Sequence, residues 1–537
     1  MSSFTYCLSS LALLAATAAQ AQTPPVAPPA MTAPEKPVFA IRGFDVTGEN
    51  PLSATETTRV LAPFLRTDAS METLQAATAA LEAALKARGF ALHRVVLPPQ
   101  GVGQSVNLKI VKFVVGKITI TGLQRYDEAN IRASVPELME GQAPNFRTLA
   151  VQTTIANESP GKQVQIALKE SEEADQIDAT LEVKEARPWN FSASLANTGS
   201  KTTGQDRFTV AGSHANVFDV DHQFTGAYTT SLERPSDVQQ VGLNYKVPFY
   251  RWGGVLGLNY TQSNVIGNNG TFTNTGAGQT MGLSYNYYLP PNAGYRGFVS
   301  LGLDDKLFKA AIVNAGAGPV VVGVDRRSRP LSLAYNARVE TSTSAWGYST
   351  ELAMNLPGGD GNDLASYKTE DPLRIETVNF KVLRASANYL ASFGTGWLWS
   401  VRTQLQYSPD ALIAGEQFGI GGASSVRGTT ERPVSGDSGL FTALELTTPE
   451  LAPGLRINGF VDGGWVRTNN TGPLTSARPP SDQLASVGLG LRYNMGAVSL
   501  SLDWAQLLTG SVTFGPANLD APQAGDQKLH LNLTARF

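Results

Sequence analysis

Hydrophobic and polar residues alternate along most of the chain after Pro188, and helical periodicity is absent there. The C-terminal segment shows the pattern most clearly. Every second position from Leu529 to Phe537 is apolar, and the residues between them, such as His530 and Arg536, are polar. Because the side chains of a strand point alternately to its two faces, this period of two predicts β-strands with one apolar and one polar face.

The alternating segments are about 10 to 13 residues long, which suits strands that cross an outer membrane at a tilt. Sixteen of them can be marked, at 189–199, 206–216, 222–231, 238–249, 253–265, 278–289, 295–309, 329–341, 345–357, 376–390, 397–408, 439–450, 455–467, 484–495, 497–508 and 528–537. An antiparallel barrel with both ends on the same side requires an even number. Aromatic residues near strand ends, Tyr407, Trp465 and Trp504, favour a membrane barrel over a soluble sandwich.

The connections between these segments are of two kinds. Turns such as 249/253 and 495/497 are very short, whereas five connections are long: 309–329, 357–376, 408–439, 467–484 and 508–528. In outer-membrane barrels the short turns face the periplasm and the long loops face outward. The same orientation is predicted here.

Before the barrel, residues 38–187 show mixed helix and strand periodicity with ordinary charge density. A strand signal over 39–47 ends at Gly48. A helix is predicted over 70–88, with its apolar residues on one face and Gly89 at the position of a C-terminal cap. These signals indicate an α+β unit ahead of the barrel.

The order of elements then starts again. Val46-Thr47-Gly48 recurs as Ile120-Thr121-Gly122, followed by helical segments near 127–135 and 147–156 and a closing strand near 179–184. Two copies of a β-α-α-β-β unit explain this better than one large fold. The predicted fold class is therefore N-terminal α+β repeats followed by a 16-stranded antiparallel transmembrane β-barrel. The predicted segments are 1–21 (signal peptide), 22–37 (Pro-rich linker), 38–113 and 114–187 (the two repeats) and 188–537 (barrel).

Composition agrees with this division. The formal net charge is 42 − 45 = −3, which gives no electrostatic reason to expect nucleic-acid binding. Charged residues make up only 16% of the chain, yet the mean hydropathy is −0.11. Alternation explains both values, because each barrel strand gives half of its residues to lipid and half to a polar lumen.

The N-terminal apolar run, Leu8 to Ala21, is too short to span a bilayer as a helix and ends in Ala19-Gln20-Ala21, so it is interpreted as a secretory signal. The only cysteine, Cys7, lies inside it. The mature chain is therefore expected to have no disulfide, no catalytic thiol and no cysteine-bound metal. The four histidines show no metal-ligand spacing.

The longest loop carries the most distinctive residues. Gly421 and Gly422 precede Val426-Arg427-Gly428 in a segment that is otherwise poor in charge. In segment 455–467, alternation points Asp462 into the lumen, and the same parity points Glu445 inward from the strand before it. If the loop folds inward, Arg427 and Asp462 can form a charge-assisted pair.

Val426-Arg427-Gly428, followed by Phe460-Val461-Asp462-Gly463, resembles the paired motifs of the BamA-type superfamily of outer-membrane insertases and translocators. Two POTRA-like units before a sixteen-stranded barrel are similar, within it, to the two-partner secretion transporters of the ShlB/FhaC/HecB (TpsB) family. The resemblance implies that the loop arginine is tucked into the barrel against the strand aspartate. A loop-to-barrel lock of Val426, Arg427, Gly428, Asp462 and Gly463 is therefore expected.

The same resemblance implies that the POTRA-like units capture an unfolded partner exoprotein, of haemolysin or adhesin type, in the periplasm and that the barrel passes it outward. Expected contacts are the partner protein, outer-membrane lipid and, during biogenesis, the barrel-assembly machinery, for which Phe537 is the candidate signal. The family pattern has an aromatic residue after Arg-Gly, whereas this chain has Thr429. The Pro-rich segment 22–37 leaves no room for the family's plug helix, and none is expected.

Two alternatives remain open at this point: a barrel-assembly or insertase component, and a porin or ligand receptor, for which two N-terminal repeats have no use. Enzymatic hypotheses are weak. Gly436-Asp437-Ser438-Gly439 resembles the nucleophile segment of trypsin-like proteases, but no histidine is placed to partner it. No catalysis and no cofactor are predicted.

Overall fold

The computed structural model describes residues 38–101, 105–201, 203–265, 267–268, 273–274, 277–314, 319–322, 324–471, 479–515 and 520–537. The predicted signal peptide (1–21) and linker (22–37) lie outside this range. In the described chain no helix is long and apolar enough to cross a membrane.

The first α/β unit packs two helices on a three-stranded sheet. Its elements are β1 (Gly43–Gly48), α1 (Ala54–Leu61), α2 (Met71–Ala87), β2 (His93–Val96) and β3 (Ser105–Lys112). β3 is central, parallel to β1 and antiparallel to β2. The predicted helix over 70–88 is confirmed, whereas α1, which begins after the N-cap Ser53, is short and was not located from the sequence.

The second α/β unit repeats this order. Its elements are β4 (Val114–Thr121), α3 (Glu128–Ser134), α4 (Phe146–Asn157), β5 (Lys162–Glu170) and β6 (Gln176–Glu185). β6 is central, parallel to β4 and antiparallel to β5. The two units thus share one topology.

The repeated glycines have the same structural role. Gly48 and Gly122 have φ angles of +89° and +88°. A Cβ at Gly48 would lie 2.3 Å from the carbonyl oxygen of Ile110, and one at Gly122 would lie 2.1 Å from that of Val183. Each strand therefore leaves its sheet through a turn that only glycine fits.

The two units meet where α2 ends and α4 begins. Asn145 caps α4 by accepting the N–H groups of Arg147 and Thr148, and its amide donates to the carbonyl oxygen of Arg88 at 3.0 Å. The Phe146 N–H donates to the carbonyl oxygen of Gly89 at 2.8 Å. The side chain of Asn145 thus bonds unpaired backbone groups at the end of α2 and at the start of α4.

Sixteen strands close into an antiparallel barrel within the described residues. Barrel strands 1 to 16 are Trp189–Ala196, Arg207–Val217, His222–Thr230, Gln239–Phe249, Gly254–Ser263, Gly278–Tyr288, Tyr295–Phe308, Pro330–Glu340, Ser344–Asn355, Lys381–Phe393, Trp397–Tyr407, Ser438–Thr447, Leu455–Arg467, Ser481–Met495, Val498–Thr509 and Gln527–Arg536. The short strand Arg326–Ser328 extends strand 8, because both pair with strand 7. The predicted fold class is confirmed.

One predicted strand began too early. Segment 376–390 was expected to be a strand from its first residue, but strand 10 begins at Lys381. Phe380 is instead buried, and Val378 partly buried, with Tyr367 and Leu412 in an apolar cluster formed by the long loops. Apolar residues that pack under a loop imitate the alternation of a strand.

The alternation predicted for the strands is present in the structure. On strand 13, Val461 and Trp465 are exposed on the outer face, whereas Asp462 and Asn458 are buried inside the barrel. On strand 16, Leu529 and Leu533 are exposed in the same way. The outer surface therefore presents apolar side chains to lipid.

A buried charge pair joins the second α/β unit to the barrel. Lys162 Nζ lies 2.7 Å from Asp221 Oδ2, in the turn after strand 2, and donates to Asn130 Oδ1 at 2.6 Å. Tyr250, in the next short turn, donates to the same Asp221 oxygen at 2.7 Å. Both charged side chains are almost inaccessible to solvent. Desolvation lowers the pKa of Lys162, and Asp221 opposes that shift.

Candidate functional site: the loop inside the barrel

The loop between strands 11 and 12 folds into the barrel. Residues Phe418–Ile420 pair with Val434–Gly436 as a short antiparallel ribbon, and the tip lies between them. Gly421, Gly422 and Gly428 all have φ angles between +102° and +103°. These left-handed conformations let the chain reverse tightly at both sides of the tip.

Val426 anchors the tip by apolar packing. Its side chain is fully buried in a cluster with Ile420, Phe441 and Leu507, which come from the loop and from strands 12 and 15. A Cβ at Gly464 would lie 3.0 Å from both Val426 and Ile420. The inward-facing Gly464 therefore gives the loop room to pack closely on strand 13.

The structure places Arg427 directly against Asp462. Nε and Nη2 of Arg427 lie 2.8 Å from Oδ2 and Oδ1 of Asp462, and the backbone N–H of Arg427 donates to Oδ2 at 3.1 Å. The side chains are 5% and 0% exposed. A bidentate pair with a third hydrogen bond fixes both position and orientation of the arginine. Removing one partner would leave an uncompensated buried charge.

An aromatic ring completes the arginine site. The guanidinium carbon of Arg427 lies 3.3 Å from the ring centroid of Phe460, which points inward two residues before Asp462. The planar cation thus stacks on an aromatic face while its edge binds the carboxylate. The sequence motif Phe-x-Asp supplies both surfaces from one strand.

Further charges extend this pair into a network. Arg427 Nη1 lies 3.2 Å from Glu445 Oε2 and 3.6 Å from Asp503 Oδ1. Arg492 Nη2 lies 2.8 Å from the same Asp503 oxygen and 3.9 Å from Glu445 Oε1. Three acids from strands 12, 13 and 15 therefore hold two arginines, and the network borders a chamber of about 630 Å³ in the lumen.

Gly428 and Thr429 complete the turn. The backbone N–H of Gly428 donates to Nε2 of His530 on strand 16 at 3.0 Å. Thr429 Oγ1 accepts the N–H of Gly422 at 2.9 Å and donates to the carbonyl oxygen of Thr430. In place of an aromatic residue, the threonine closes the tip with hydrogen bonds.

Two residues named from the sequence lie outside this contact. Gly463 has the parity of the outer face, and a Cβ there would meet nothing within 4 Å, so Gly464 rather than Gly463 contacts the loop. Phe537 is 69% exposed. Its N–H donates to the carbonyl oxygen of Phe191, at the seam where strand 16 meets strand 1.

Sequence reasoning missed several members of the site. Arg492, Asp503 and His530 are lumen-facing by the same alternation that identified Asp462. Comparing the inward charges of neighbouring strands would have found the first two. Nothing in the sequence indicates that a loop amide would meet His530.

The protease-like segment has a structural role. Asp437 is fully buried, its Oδ2 lies 2.7 Å from Nη1 of Arg374, and its Oδ1 accepts the N–H of Leu412. Ser438 begins strand 12. The segment therefore joins two extracellular loops.

Comparison with known proteins agrees with this architecture. The family model of the haemolysin secretion/activation protein ShlB/FhaC/HecB matches residues 175–493, and that of the POTRA domain, ShlB-type, matches residues 39–112. The outer membrane transporter CdiB of Escherichia coli is 23% identical over 479 residues, covering 87% of this chain and 78% of that protein.

Two solved structures share the fold. CdiB from Escherichia coli superposes with a TM-score of 0.74 at 20% identity, covering 95% of this chain and 93% of its own. CdiB from Acinetobacter baumannii gives a TM-score of 0.70 at 17% identity, covering 94% and 91%.

The chain belongs to the ShlB/FhaC/HecB family, because the family model matches more than half of it. It is an outer-membrane transporter of the two-partner secretion type, which moves a partner exoprotein, and its POTRA region lies in the periplasm. Family membership thus favours secretion over the insertase and porin alternatives.

Proposed function

We propose that the partner exoprotein, of haemolysin or adhesin type, is captured in the periplasm as an extended segment and passes through the barrel while the Arg427–Asp462 pair fixes the loop. The observation that carries this proposal is the bidentate contact between a buried loop arginine and a buried strand aspartate. Its role is positional: the pair sets where the loop lies in the path of the exported chain.

Capture by strand addition is supported by the second α/β unit. Among the described residues, β5 pairs with β6 as its only strand neighbour. On the other edge the backbone groups of Val164 bond the side chain of Asn157, so an added strand would pair with the part of β5 beyond Val164. A groove of about 550 Å³ lies along α4, β5 and the barrel turn 291–296, and Leu168 in it is 38% exposed. An added strand would gain main-chain hydrogen bonds at the edge and apolar contacts from α4 without requiring a particular sequence.

Contacts with lipid and with the assembly machinery belong to the same proposal. The exposed apolar face of the barrel would lie in outer-membrane lipid. Phe537, exposed at the end of strand 16, would be the residue that the barrel-assembly machinery recognises during biogenesis. The two α/β units would both act as POTRA domains.

Secretion of a partner exoprotein produced in the same cells tests the role of the loop. Arg427→Ala is expected to leave an inserted, heat-modifiable barrel and to reduce secretion at least about tenfold, the rate factor for losing one charge-assisted hydrogen bond. Arg338→Ala is the matched control, because Arg338 lines the same chamber but pairs with Glu340. Equal secretion by both variants would contradict the proposal.

Leu168→Asp tests the capture site separately. A carboxylate in the groove would oppose apolar packing of an added strand, so secretion should fall while the barrel remains inserted. Leu65→Asp, at a similarly exposed leucine of the first unit, is the control. If the two variants secrete equally, capture does not use this groove.

A further inference from the structure

The loop is held at a second place, far from its tip. Glu416 is 3% exposed although it lies in the loop between strands 11 and 12. Its Oε1 lies 3.1 Å from Nζ of Lys306 and accepts the hydroxyl of Ser328 at 2.7 Å. Its Oε2 accepts a hydrogen bond from Nη2 of Arg384 at 2.9 Å. Every one of these partners belongs to the barrel wall.

The backbone around Glu416 is fixed as well. Gln406 Nε2 donates to the carbonyl oxygen of Glu416 at 2.9 Å. A Cβ at Gly415 would lie 2.2 Å from the ring of Phe308, so this ring packs directly on the loop backbone. Both the side chain and the main chain at this point are therefore bound to the wall.

The two attachment points use different parts of the barrel wall. The contacts of Glu416 come from strands 7 to 11, since Lys306 is on strand 7, Ser328 extends strand 8, and Arg384 and Gln406 are on strands 10 and 11. The contacts of the tip come from strands 12 to 16, with Asp462 on strand 13, Asp503 on strand 15 and His530 on strand 16. The base and the tip of the loop are thus bound to two neighbouring arcs of the wall.

We infer that Glu416 is a second positioning residue for transport, which holds the base of the loop against strands 7 to 10 while Arg427 holds its tip. The inference rests on the proposed role of the loop. A buried carboxylate that faces a lysine, an arginine and a hydroxyl is stable only while those partners are present. Moving the loop out of the lumen therefore requires two ionic contacts to break, one at the base of the loop and one at its tip.

Labelling of the loop tip tests this inference. Ser424 is exposed at the tip, and a Ser424→Cys variant would carry the only cysteine outside the predicted signal segment. The probe is a maleimide-polyethylene glycol too large for porins, added to whole cells. Glu416→Gln is expected to increase the labelling rate about tenfold, the factor for losing one charge-assisted hydrogen bond.

Glu431→Gln is the matched control, since Glu431 is a loop carboxylate whose hydrogen bond goes to the loop's own Ala423 N–H. Labelling that rises in Glu416→Gln and not in Glu431→Gln supports the inference. Equal labelling of the two variants, whether both low or both high, overturns it. If Glu416→Gln fails to insert, Lys306→Gln removes the same ion pair from the wall and must raise labelling as well.

Secretion by the same variants separates this inference from the proposed function. Raised labelling with reduced secretion supports both. If labelling rises while secretion is unchanged, Glu416 holds the loop, but the position of the loop does not determine transport, which contradicts the proposed function.

Discussion

Gly488 has no side chain, and the ring of Phe460 occupies the space where one would lie. A Cβ at Gly488 would lie 2.2 Å from the ring of Phe460, on the neighbouring strand. Because that ring supports the guanidinium of Arg427, the absence of a side chain at Gly488 is part of the arginine site. A glycine in a strand here marks close packing rather than a turn.

The first prediction concerns this glycine. Gly488→Ala should clash with the ring of Phe460 and with the carbonyl oxygen of Trp504, each 2.2 Å from its Cβ, and so weaken the hold on Arg427, at a cost of about 1–3 kcal/mol for overpacking. Gly463→Ala is the control, because its Cβ would meet nothing within 4 Å on strand 13. Resistance of the barrel to unfolding in urea and secretion should both fall in the first variant alone. Equal behaviour of the two variants would contradict the role of Gly488 in the arginine site.

The second prediction concerns the charge pair between the second α/β unit and the barrel. Lys162→Met leaves Asp221 buried without its cation, which should cost about 3–5 kcal/mol. Hydrogen exchange of α4 and β5 should then become much faster. Lys169→Met, an exposed lysine of the same strand, is the control.

The double variant Lys162→Met/Asp221→Asn should lose less protection than the sum of the two single variants, because it leaves no unpaired charge. Unchanged exchange in Lys162→Met would show that this pair does not hold the unit against the barrel.

The third prediction concerns the joint between the two units. Gly89 has a φ angle of +97°, and its Cβ would lie 2.1 Å from Oδ1 of Asn145. Gly89→Ala should therefore suffer both backbone strain, about 1–2 kcal/mol, and a steric clash. Gly141→Ala, with φ +76° and nothing within 4 Å, should suffer the strain alone. The free energy of unfolding of the periplasmic region in denaturant compares the two variants. An equal loss of stability would show that the helix junction accommodates the added methyl group.

Much of the fold could be predicted because its signals are local. Alternation located sixteen strands, and the recurrence of Val46-Thr47-Gly48 at Ile120-Thr121-Gly122 located two units of equal topology. Parity along strand 13 also pointed Asp462 inward, where the structure has it. These features depend on the period of a strand and on the turns that glycine permits.

The remaining contacts depend on which strands the loop crosses. No sequence pattern distinguishes Glu416 from other acids in loops, because its partners Lys306 and Arg384 come close to it only in the closed barrel. His530 meets Gly428 only because strand 16 lies near the tip. These partners are separated by 32 to 110 residues, so no local pattern specifies them. Gly463 was predicted as a contact because it completes the motif Phe460-Val461-Asp462-Gly463. The loop instead packs against Gly464, which shares the inward parity of Asp462.

The most direct measurement is secretion of the partner exoprotein by Arg427→Ala, Asp462→Ala and the double variant, each with an inserted, heat-modifiable barrel. Since the two residues act as one unit, each single variant and the double variant should show the same loss, about tenfold or more. Normal secretion by both single variants would contradict the account.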